Sequence, residues 1–347
     1  MRALVVHEPN RFSVEEVERP RPGRYELLCR VKAIAICGTD PHIIQGDFPG
    51  FWPKAFPFIP GHEWTGEVVE LGEGAADLGW EVGVRVAGTS HAGCGYCRLC
   101  IEGRYNLCEN FGDERLHRQY GHYTQGAYAD YVVHSVKSVF AVPDELSDEE
   151  AAMLDPTSIA LHTVKRGGHA PGDTVAVIGA GAMGLLVAEC ARARGAGRVL
   201  VVGRGARLEK AASLGHEPID FSAEDTVAAI RERTGGRGAD VVLECSGDPI
   251  AVGQGVEAVR KGGRVAAIGI PPGSGTVLLR RMVLDEVDVV GVRAAAGEMP
   301  EAIALVAAGR IRLAELVTHR FALEDYAEAY RVFTERVDGA LKVIVRP

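Results

Sequence analysis

Short alternating runs of apolar and polar residues fill the first 150 positions of this chain. The stretches ELLCRVKAIAI (26–36), TGEVVELGEG (65–74) and AYADYVVHS (127–135) predict strands, because β-branched and apolar residues recur there between turn-forming residues. No long helical pattern separates them. We therefore expect an irregular, β-rich domain over residues 1–150.

A different pattern begins near residue 151. The segment 147–167 predicts a helix that is capped by Ser147 and interrupted near Pro156. Strand-like and helix-like segments then alternate, and this alternation predicts an α/β domain with a doubly wound parallel sheet over residues 151–288. The tail, 289–347, returns to a mixed pattern and is assigned to the first domain. The alternating segments are DTVAVIGAG (173–181), AMGLLVAECARARG (182–195), RVLVVG (198–203), ARLEKAASLG (206–215), ADVVLECSG (239–247) and GRVAAIGIP (263–271).

Composition restricts the class of protein. A chain of 347 residues is long enough for two domains, and 47% hydrophobic with 24% charged residues is ordinary for a soluble protein. The net charge of −9 argues against nucleic-acid and membrane-surface partners. The first ten residues contain an apolar run of only four, which is short for a signal peptide. We expect a cytoplasmic protein with reduced thiols.

Four of the eight cysteines lie within residues 91–108, in the order C-x2-C-x2-C-x7-C. Cys94, Cys97, Cys100 and Cys108 have the spacing of a loop that closes a tetrahedral site around zinc, and four thiolates leave no open position for substrate. The prediction is a structural zinc ion. An iron–sulfur cluster is the main alternative, while a redox pair explains only two of the four residues.

The sequence VIGAGAMG places three glycines between an apolar strand and a helix. Gly179 permits a tight turn, Gly181 lets the backbone approach a pyrophosphate, and Gly184 allows close packing of helix on strand. The helix N-terminus supplies N–H groups for the phosphates. We predict dinucleotide binding, and we include Met183, Ser246 and Gly269 in the predicted cofactor-binding set.

Four further residues are of the types that bind a catalytic zinc ion while leaving room for a substrate. They are Cys37, His62, Glu63 and Asp155, and their separation along the chain is too large for spacing alone to assemble them.

Together with the cysteine loop, CGTD, GHEWTGEVVELG, GAGAMG and THRFALEDYAEAY resemble the zinc-dependent members of the medium-chain dehydrogenase/reductase superfamily over essentially the whole chain. The resemblance implies a GroES-like catalytic domain (1–150 and 289–347) and a Rossmann domain (151–288). It implies that Cys37 and His62 bind a catalytic zinc and that Glu63 is a ligand or a neighbour of one. It also implies, from the carboxylate of Asp155, that the chain is more similar to the polyol and threonine dehydrogenases than to the classical alcohol dehydrogenases.

The same resemblance implies a zinc- and nicotinamide-dependent oxidoreductase that transfers hydride between its cofactor and a secondary alcohol or ketone. Thr39 and His42 match the family's proton relay, and His91 lies where threonine dehydrogenases carry a histidine near the substrate. A homotetramer or homodimer is implied as well. The alternatives are a zinc-free quinone or enoyl reductase, or a non-catalytic NAD(P)-binding protein. The stretch from Phe48 to Phe58 either lines an apolar substrate pocket or packs the domain surface.

The cofactor preference is predicted from the end of the second strand of the α/β domain. NAD-binding proteins place an acidic residue there, whereas this chain has Gly203 and Arg204, followed by Arg207. An arginine can make charge-assisted hydrogen bonds to a 2′-phosphate. We therefore predict that NADP(H) is favoured over NAD(H).

Overall fold

The chain passes from one folding unit to a second and then returns to the first. In the computed structural model, which describes residues 1–347, the first unit contains Met1–Asp155 and Met299–Pro347. The second unit contains Pro156–Glu298.

The first part of the chain is built of short strands joined by long loops. Helix α3 begins with a capping box, in which the Ser147 side chain accepts from Glu150 N–H and the Glu150 carboxylate accepts from Ser147 N–H. The elements are β1 (Arg2–Glu8), β2 (Arg11–Glu16), β3 (Glu26–Ala35), α1 (Asp40–Gln45), β4 (Glu63–Leu71), β5 (Arg85–Gly88), β6 (His91–Ala92), α2 (Arg98–Ile101), β7 (Arg118–Gln119), β8 (Tyr131–Ser135), β9 (Val139–Ala141) and α3 (Asp148–Ala152).

The second unit is a regular alternation of strands and helices around a six-stranded sheet. All neighbouring strands are parallel, in the order β12-β11-β10-β13-β14-β15. This is the order of a doubly wound Rossmann sheet, so the predicted fold class is confirmed. The elements are α4 (Leu154–Gly167), β10 (Thr174–Ile178), α5 (Ala182–Ala193), β11 (Arg198–Gly203), α6 (Gly205–Ser213), β12 (Glu217–Asp220), α7 (Thr226–Arg233), β13 (Ala239–Glu244), α8 (Ala251–Ala258), β14 (Val259–Ala267), α9 (Leu279–Leu284) and β15 (Asp288–Gly291).

The helix break expected near Pro156 occurs three residues earlier. Helix α3 ends at Ala152 and α4 starts at Leu154, so Met153 is the break and Pro156 lies in the first turn of α4. A proline is tolerated in a first helical turn, because the N–H groups there have no partner within the helix.

The end of the chain completes the sheet of the first unit. It contributes α10 (Met299–Ala307), β16 (Val317–Ala322), α11 (Tyr326–Glu335) and β17 (Lys342–Arg346). Strand β17 lies between β16 and β3 in the order β16-β17-β3-β4-β5-β9, with β8 also paired to β3. The C-terminal strand therefore lies one strand away from β4. None of the helices has both the length and the apolar character needed to cross a lipid bilayer.

Candidate active site

Three predicted zinc ligands converge where β3 ends and β4 begins. The two strands are antiparallel, with Ala35 opposite Glu63, so Cys37, just after β3, meets His62 and Glu63. The Cys37 thiol, one imidazole nitrogen of His62 and one carboxylate oxygen of Glu63 all lie within 4.8 Å of one another. A thiol, an imidazole and a carboxylate facing one point are a donor set that zinc accepts.

Asp40, in the first turn of α1, orients this site. The residue is fully buried, and its Oδ1 lies 3.7 Å from Nδ1 of His62. Its Oδ2 accepts hydrogen bonds from Cys37 N–H at 2.9 Å and from the Tyr128 hydroxyl at 2.7 Å. A carboxylate behind a ligand histidine leaves the other ring nitrogen, Nε2, to bind metal. Asp40 is the last residue of the CGTD motif, and the sequence alone predicted no role for it.

Lys342 is a second residue that sequence reasoning missed. Its ammonium group is buried and forms an ion pair with the Glu63 carboxylate. Burial lowers the pKa of Lys342, but the charges of Glu63 and Cys37 outweigh that effect and raise it. The sequence feature that could have identified Lys342 is its position inside LKVIVRP, a strand whose other residues from Leu341 to Val345 are apolar and buried.

Asp155 is buried close to the three ligands but falls outside the converging set. Its Oδ1 accepts from Ser90 N–H at 3.4 Å. Burial, together with the charge of Glu63, raises the pKa of Asp155 to about 8. Burial and Glu63 also raise the pKa of the Cys37 thiol. The single lysine of the site, Lys342, is outnumbered by the acidic groups around it. A divalent cation would stabilise the charged forms of those acidic groups.

The two residues of the predicted relay lie at the start of α1. The Thr39 hydroxyl donates to the Cys37 sulfur at 3.4 Å. His42 is exposed, and its Nδ1 is 2.6 Å from Oδ2 of Asp47. Thr39 and His42 make no direct hydrogen bond, so the relay needs a further hydroxyl between them.

His91 is held in a buried polar network. Its Nδ1 lies 3.4 Å from Nε2 of His117, and its Nε2 lies 3.5 Å from the Gln119 amide. The Gln119 carbonyl accepts from the indole N–H of Trp52 at 2.9 Å. The network therefore joins the strand that carries His91 to the aromatic segment near Phe48.

The four cysteines of the 91–108 loop form a compact cage. Their sulfurs all lie within 4.8 Å of one another, with Cys94 and Cys100 at 3.8 Å and Cys97 and Cys108 at 3.9 Å. These separations are far longer than a disulfide bond and match the edge of a tetrahedron with metal–sulfur bonds of about 2.3 Å, roughly 3.8 Å. The cage fits a single ion better than a cluster of several iron atoms.

Backbone N–H groups favour the thiolate form of Cys94, whereas burial raises the pKa of Cys100 and of Cys108. The Cys94 sulfur accepts from Cys97 N–H at 3.3 Å, and the Cys97 sulfur accepts from Cys100 N–H at 3.4 Å. Burial opposes ionisation, but the N–H groups of Cys97 and Tyr96 outweigh it and lower the pKa of Cys94 to about 6. Thiolates are the form of cysteine that binds metal.

The glycine loop has the geometry expected of a pyrophosphate cradle. Gly179 follows β10 with φ of 112°, and Gly181 is the N-cap of α5. A Cβ at Gly184 would lie 1.7 Å from the carbonyl oxygen of Gly179, so only glycine allows this packing of helix on loop. Ser246 and Gly269 follow β13 and β14, which places both at the carboxyl edge where doubly wound sheets bind ligands.

The two arginines predicted to bind cofactor lie at different places. Arg207 Nη1 stands 3.9 Å from the position of a Cβ on Gly181, so this guanidinium reaches over the N-terminus of α5. Arg204 is exposed after β11, with its guanidinium carbon 5.5 Å from the ring centre of Phe221. At Gly203 a Cβ would come within 2.3 Å of Ala180 Cβ, which leaves no space for an acidic side chain.

Known proteins share both the motifs and the architecture. Residues 23–144 match the alcohol dehydrogenase GroES-like domain, and residues 182–308 match the zinc-binding dehydrogenase family. Sorbitol dehydrogenase of Bacillus subtilis is 33% identical over 100% of this chain and 97% of its own. L-threonine 3-dehydrogenase of Vibrio parahaemolyticus is 33% identical over 95% of this chain and 94% of its own.

A solved structure from Sinorhizobium meliloti, described as a zinc-binding dehydrogenase bound to NADP, superposes with a TM-score of 0.91. It is 32% identical, and the match covers 100% of this chain and 99% of that one. The chain therefore belongs to the zinc-type medium-chain alcohol dehydrogenases and is an oxidoreductase acting on the CH–OH group of alcohols or polyols.

Proposed function

We propose that this protein oxidises a secondary alcohol to a ketone, or reduces the ketone, with NADP(H) and a zinc ion, and that a second zinc is structural. The observation that carries the proposal is the convergence of the partly buried Cys37 with the buried His62 and Glu63, whose ligand atoms all lie within 4.8 Å of one another. Catalytic zinc sites use three protein ligands and keep one position open. By family resemblance we also propose a cytoplasmic homotetramer or homodimer.

Each residue of the site has a part in holding the metal and the substrate. Cys37, His62 and Glu63 would hold the zinc, and we propose Asp155 as the alternative to Glu63. When bound, zinc supplies Lewis-acid polarisation of the alcohol oxygen, and the nicotinamide accepts the hydride. Asp40, whose Oδ1 lies 3.7 Å from Nδ1 of His62, would orient the His62 ring, while Lys342 balances the charge of Glu63.

The proton leaves by way of α1. The Thr39 hydroxyl, 3.4 Å from the Cys37 sulfur, is placed to accept a proton from the alcohol and to release its own. A further hydroxyl would carry it to Nε2 of His42, because Nδ1 of His42 is already bonded to Asp47. The exposed His42 ring would then return the proton to solvent.

Metal analysis combined with an alcohol assay tests this proposal. We expect two zinc ions per chain and oxidation of at least one secondary alcohol with NADP⁺. This activity should be lost when one zinc ion is removed and restored when zinc is added back. Zinc content is measured by plasma mass spectrometry and turnover by reduced-nicotinamide absorbance. A zinc-free preparation with undiminished turnover would contradict the proposal and favour the zinc-free reductases of the superfamily.

The preference for NADP(H) rests on Arg204. We propose that its guanidinium binds the 2′-phosphate, and that Arg207, which lies over Gly181, binds the pyrophosphate. The pKa of Asp220 is lowered mainly by hydrogen bonds from Ser222 and, to a smaller extent, by the positive charge of Arg204. This carboxylate offsets part of the Arg204 charge, so we expect a preference rather than exclusion of NAD.

Substitution of the two arginines separates these roles. We expect Arg204→Ala to raise the KM for NADP roughly tenfold to a hundredfold, as the loss of a charge-assisted hydrogen bond implies, and to change the KM for NAD little. Arg207→Ala is the matched control and should raise both KM values by similar factors, since both cofactors carry a pyrophosphate. Equal effects of Arg204→Ala on both cofactors would contradict the assignment.

A further inference from the structure

A continuous arc of aromatic rings joins the predicted relay histidine to the predicted zinc ligand. The ring centres are 6.1 Å apart for His42 and Phe48, 5.2 Å for Phe48 and Trp52, and 4.9 Å for Trp52 and His122. The last step, from His122 to His62, is 4.3 Å. We name these rings the aromatic arc and include in it Phe51, which packs on Trp52, and Phe111, which packs on Phe51. The arc runs between two residues of the proposed reaction site.

The aromatic arc is open to solvent along one side. Phe51 packs on Trp52 with ring centres 4.9 Å apart and is 45% exposed, although Trp52 itself is only 9% exposed. Phe111 extends the same surface, 5.7 Å from Phe51. The exposed ring of Phe51 is joined to His62 through the buried rings of Trp52 and His122, and it offers a surface that an apolar substituent of the substrate can cover.

Trp52 and His122, in the middle of the aromatic arc, already have polar partners inside the protein. The Trp52 indole N–H donates to the Gln119 carbonyl at 2.9 Å. Nδ1 of His122 lies 3.0 Å from the backbone oxygen of Tyr120. A polyol has several hydroxyl groups, each of which loses water when it enters a site and needs a new partner there. The arc offers few such partners.

The nearby charged side chains are also engaged. Asp47 is bonded to His42, while Lys54 pairs with Glu114 at 3.4 Å and lies 4.8 Å from the ring centre of Tyr123. An amino-acid substrate needs a cation for its carboxylate and an anion for its ammonium group. Neither Asp47 nor Lys54 is left without a partner for that purpose.

We propose that the substrate is a secondary alcohol, or the matching ketone, that carries an aromatic or bulky apolar group, and that this group lies against the aromatic arc. The proposal rests on the proposed function and names its substrate class. It separates this chain from its sorbitol and threonine dehydrogenase relatives. The reacting carbon is oxidised by two electrons as the nicotinamide is reduced, and the hydroxyl proton leaves to solvent.

A substrate series tests the class directly. The probes are 1-phenylethanol, butan-2-ol, sorbitol and L-threonine, each assayed with NADP⁺ on the zinc-loaded enzyme. We expect kcat/KM for 1-phenylethanol to exceed that for butan-2-ol by roughly tenfold or more, because the phenyl ring buries more apolar surface. Sorbitol and threonine should be poorer than either. A preference for sorbitol or threonine would overturn the substrate class while leaving the oxidoreductase function intact.

A variant at the exposed ring of Phe51 tests the contact itself. Phe51→Ala should lower kcat/KM for 1-phenylethanol by about tenfold and leave that for butan-2-ol nearly unchanged, since the smaller alcohol has no ring to stack. Tyr96→Ala, at a 60% exposed aromatic residue of the cysteine loop, is the control and should alter neither value. Equal losses for both alcohols in Phe51→Ala would contradict a ring-specific contact.

Binding is measured without turnover by saturation-transfer NMR. We expect the phenyl protons of 1-phenylethanol to receive more magnetisation from the wild type than from Phe51→Ala, with wild-type intensity in Tyr96→Ala. If no alcohol is oxidised although zinc and cofactor bind, the proposed function fails. Transfer equal in all three proteins, or absent from all three, overturns the aromatic contact whatever the turnover.

Discussion

Cys37→Ser is expected to give a folded, cofactor-binding protein whose kcat falls by roughly a thousandfold. A serine hydroxyl is a far weaker zinc ligand than a thiolate, so the catalytic ion should be lost or loosely held. The Lewis-acid effect of a bound metal is worth several kcal/mol of transition-state stabilisation, and each 1.36 kcal/mol is a factor of ten in rate. The measurements are kcat with the best alcohol and zinc content, which should fall from two ions per chain to one.

The fold should survive this change, because the predicted ligands are not the main support of their domain. Cys37 follows a strand whose side chains Leu27, Leu28 and Ile34 are fully buried in the sheet core. Thermal unfolding and NADP binding should therefore remain close to those of the wild type. His62→Ala should behave in the same way.

Cys190→Ala is the matched control for a lost thiol. Cys190 is fully buried in α5 and lies outside both cysteine-containing clusters. This variant should retain both zinc ions and wild-type turnover, with a loss of stability on the order of 1 kcal/mol. Near-normal turnover in Cys37→Ser would show that Cys37 is not a catalytic zinc ligand.

Local motifs were the part of the site that sequence reasoning predicted most fully. The cysteine cage and the glycine loop each take their residues from one short stretch, so the spacing itself limits the geometry. In contrast, Cys37 and Glu63 meet through the antiparallel register of β3 and β4. Strand register cannot be read from either segment alone, and the ligand set was assembled from family resemblance instead.

The supporting residues were harder to foresee for the same reason. Lys342 reaches Glu63 only because β17 enters the sheet beside β3, and 279 positions separate the two residues. His122 packs on His62 from an irregular loop with no periodic pattern. Long-range packing of this kind depends on the whole fold, whereas the doubly wound sheet follows from an alternation visible along the chain.

The cysteine cage holds a part of the chain that has little other support. Between residues 91 and 119 the regular elements are β6 and β7, of two residues each, α2, of four, and a three-residue 3-10 helix at Tyr105–Leu107. The local buried cluster consists of Cys94, Cys97 and Cys108, with Leu99 and Cys100 packed against it. The exposed side chains of Tyr96 and Ile101 add no core. The proposed structural ion would therefore supply much of the folding free energy of this loop.

Cys97→Ser is accordingly expected to harm stability far more than chemistry. Loss of one of four ligands should release the structural ion and lower the midpoint of thermal unfolding by about 10 °C, the shift that a loss of a few kcal/mol implies for a chain of this size. Hydrogen exchange should accelerate first in residues 91–119. At low temperature the folded fraction should keep its catalytic zinc and most of its turnover, which is the reverse of the Cys37→Ser result.

Ile101→Ser introduces the same residue type into the same loop and is the control. Ile101 is 73% exposed and contributes no ligand, so this variant should keep two zinc ions and the wild-type unfolding midpoint. The comparison isolates the sulfur ligand from any general effect of a new hydroxyl in the loop. If Cys97→Ser kept both zinc ions and an unchanged unfolding midpoint, the four thiols would bind no structural ion. The loop would then need another source of stability, which its sparse packing does not offer.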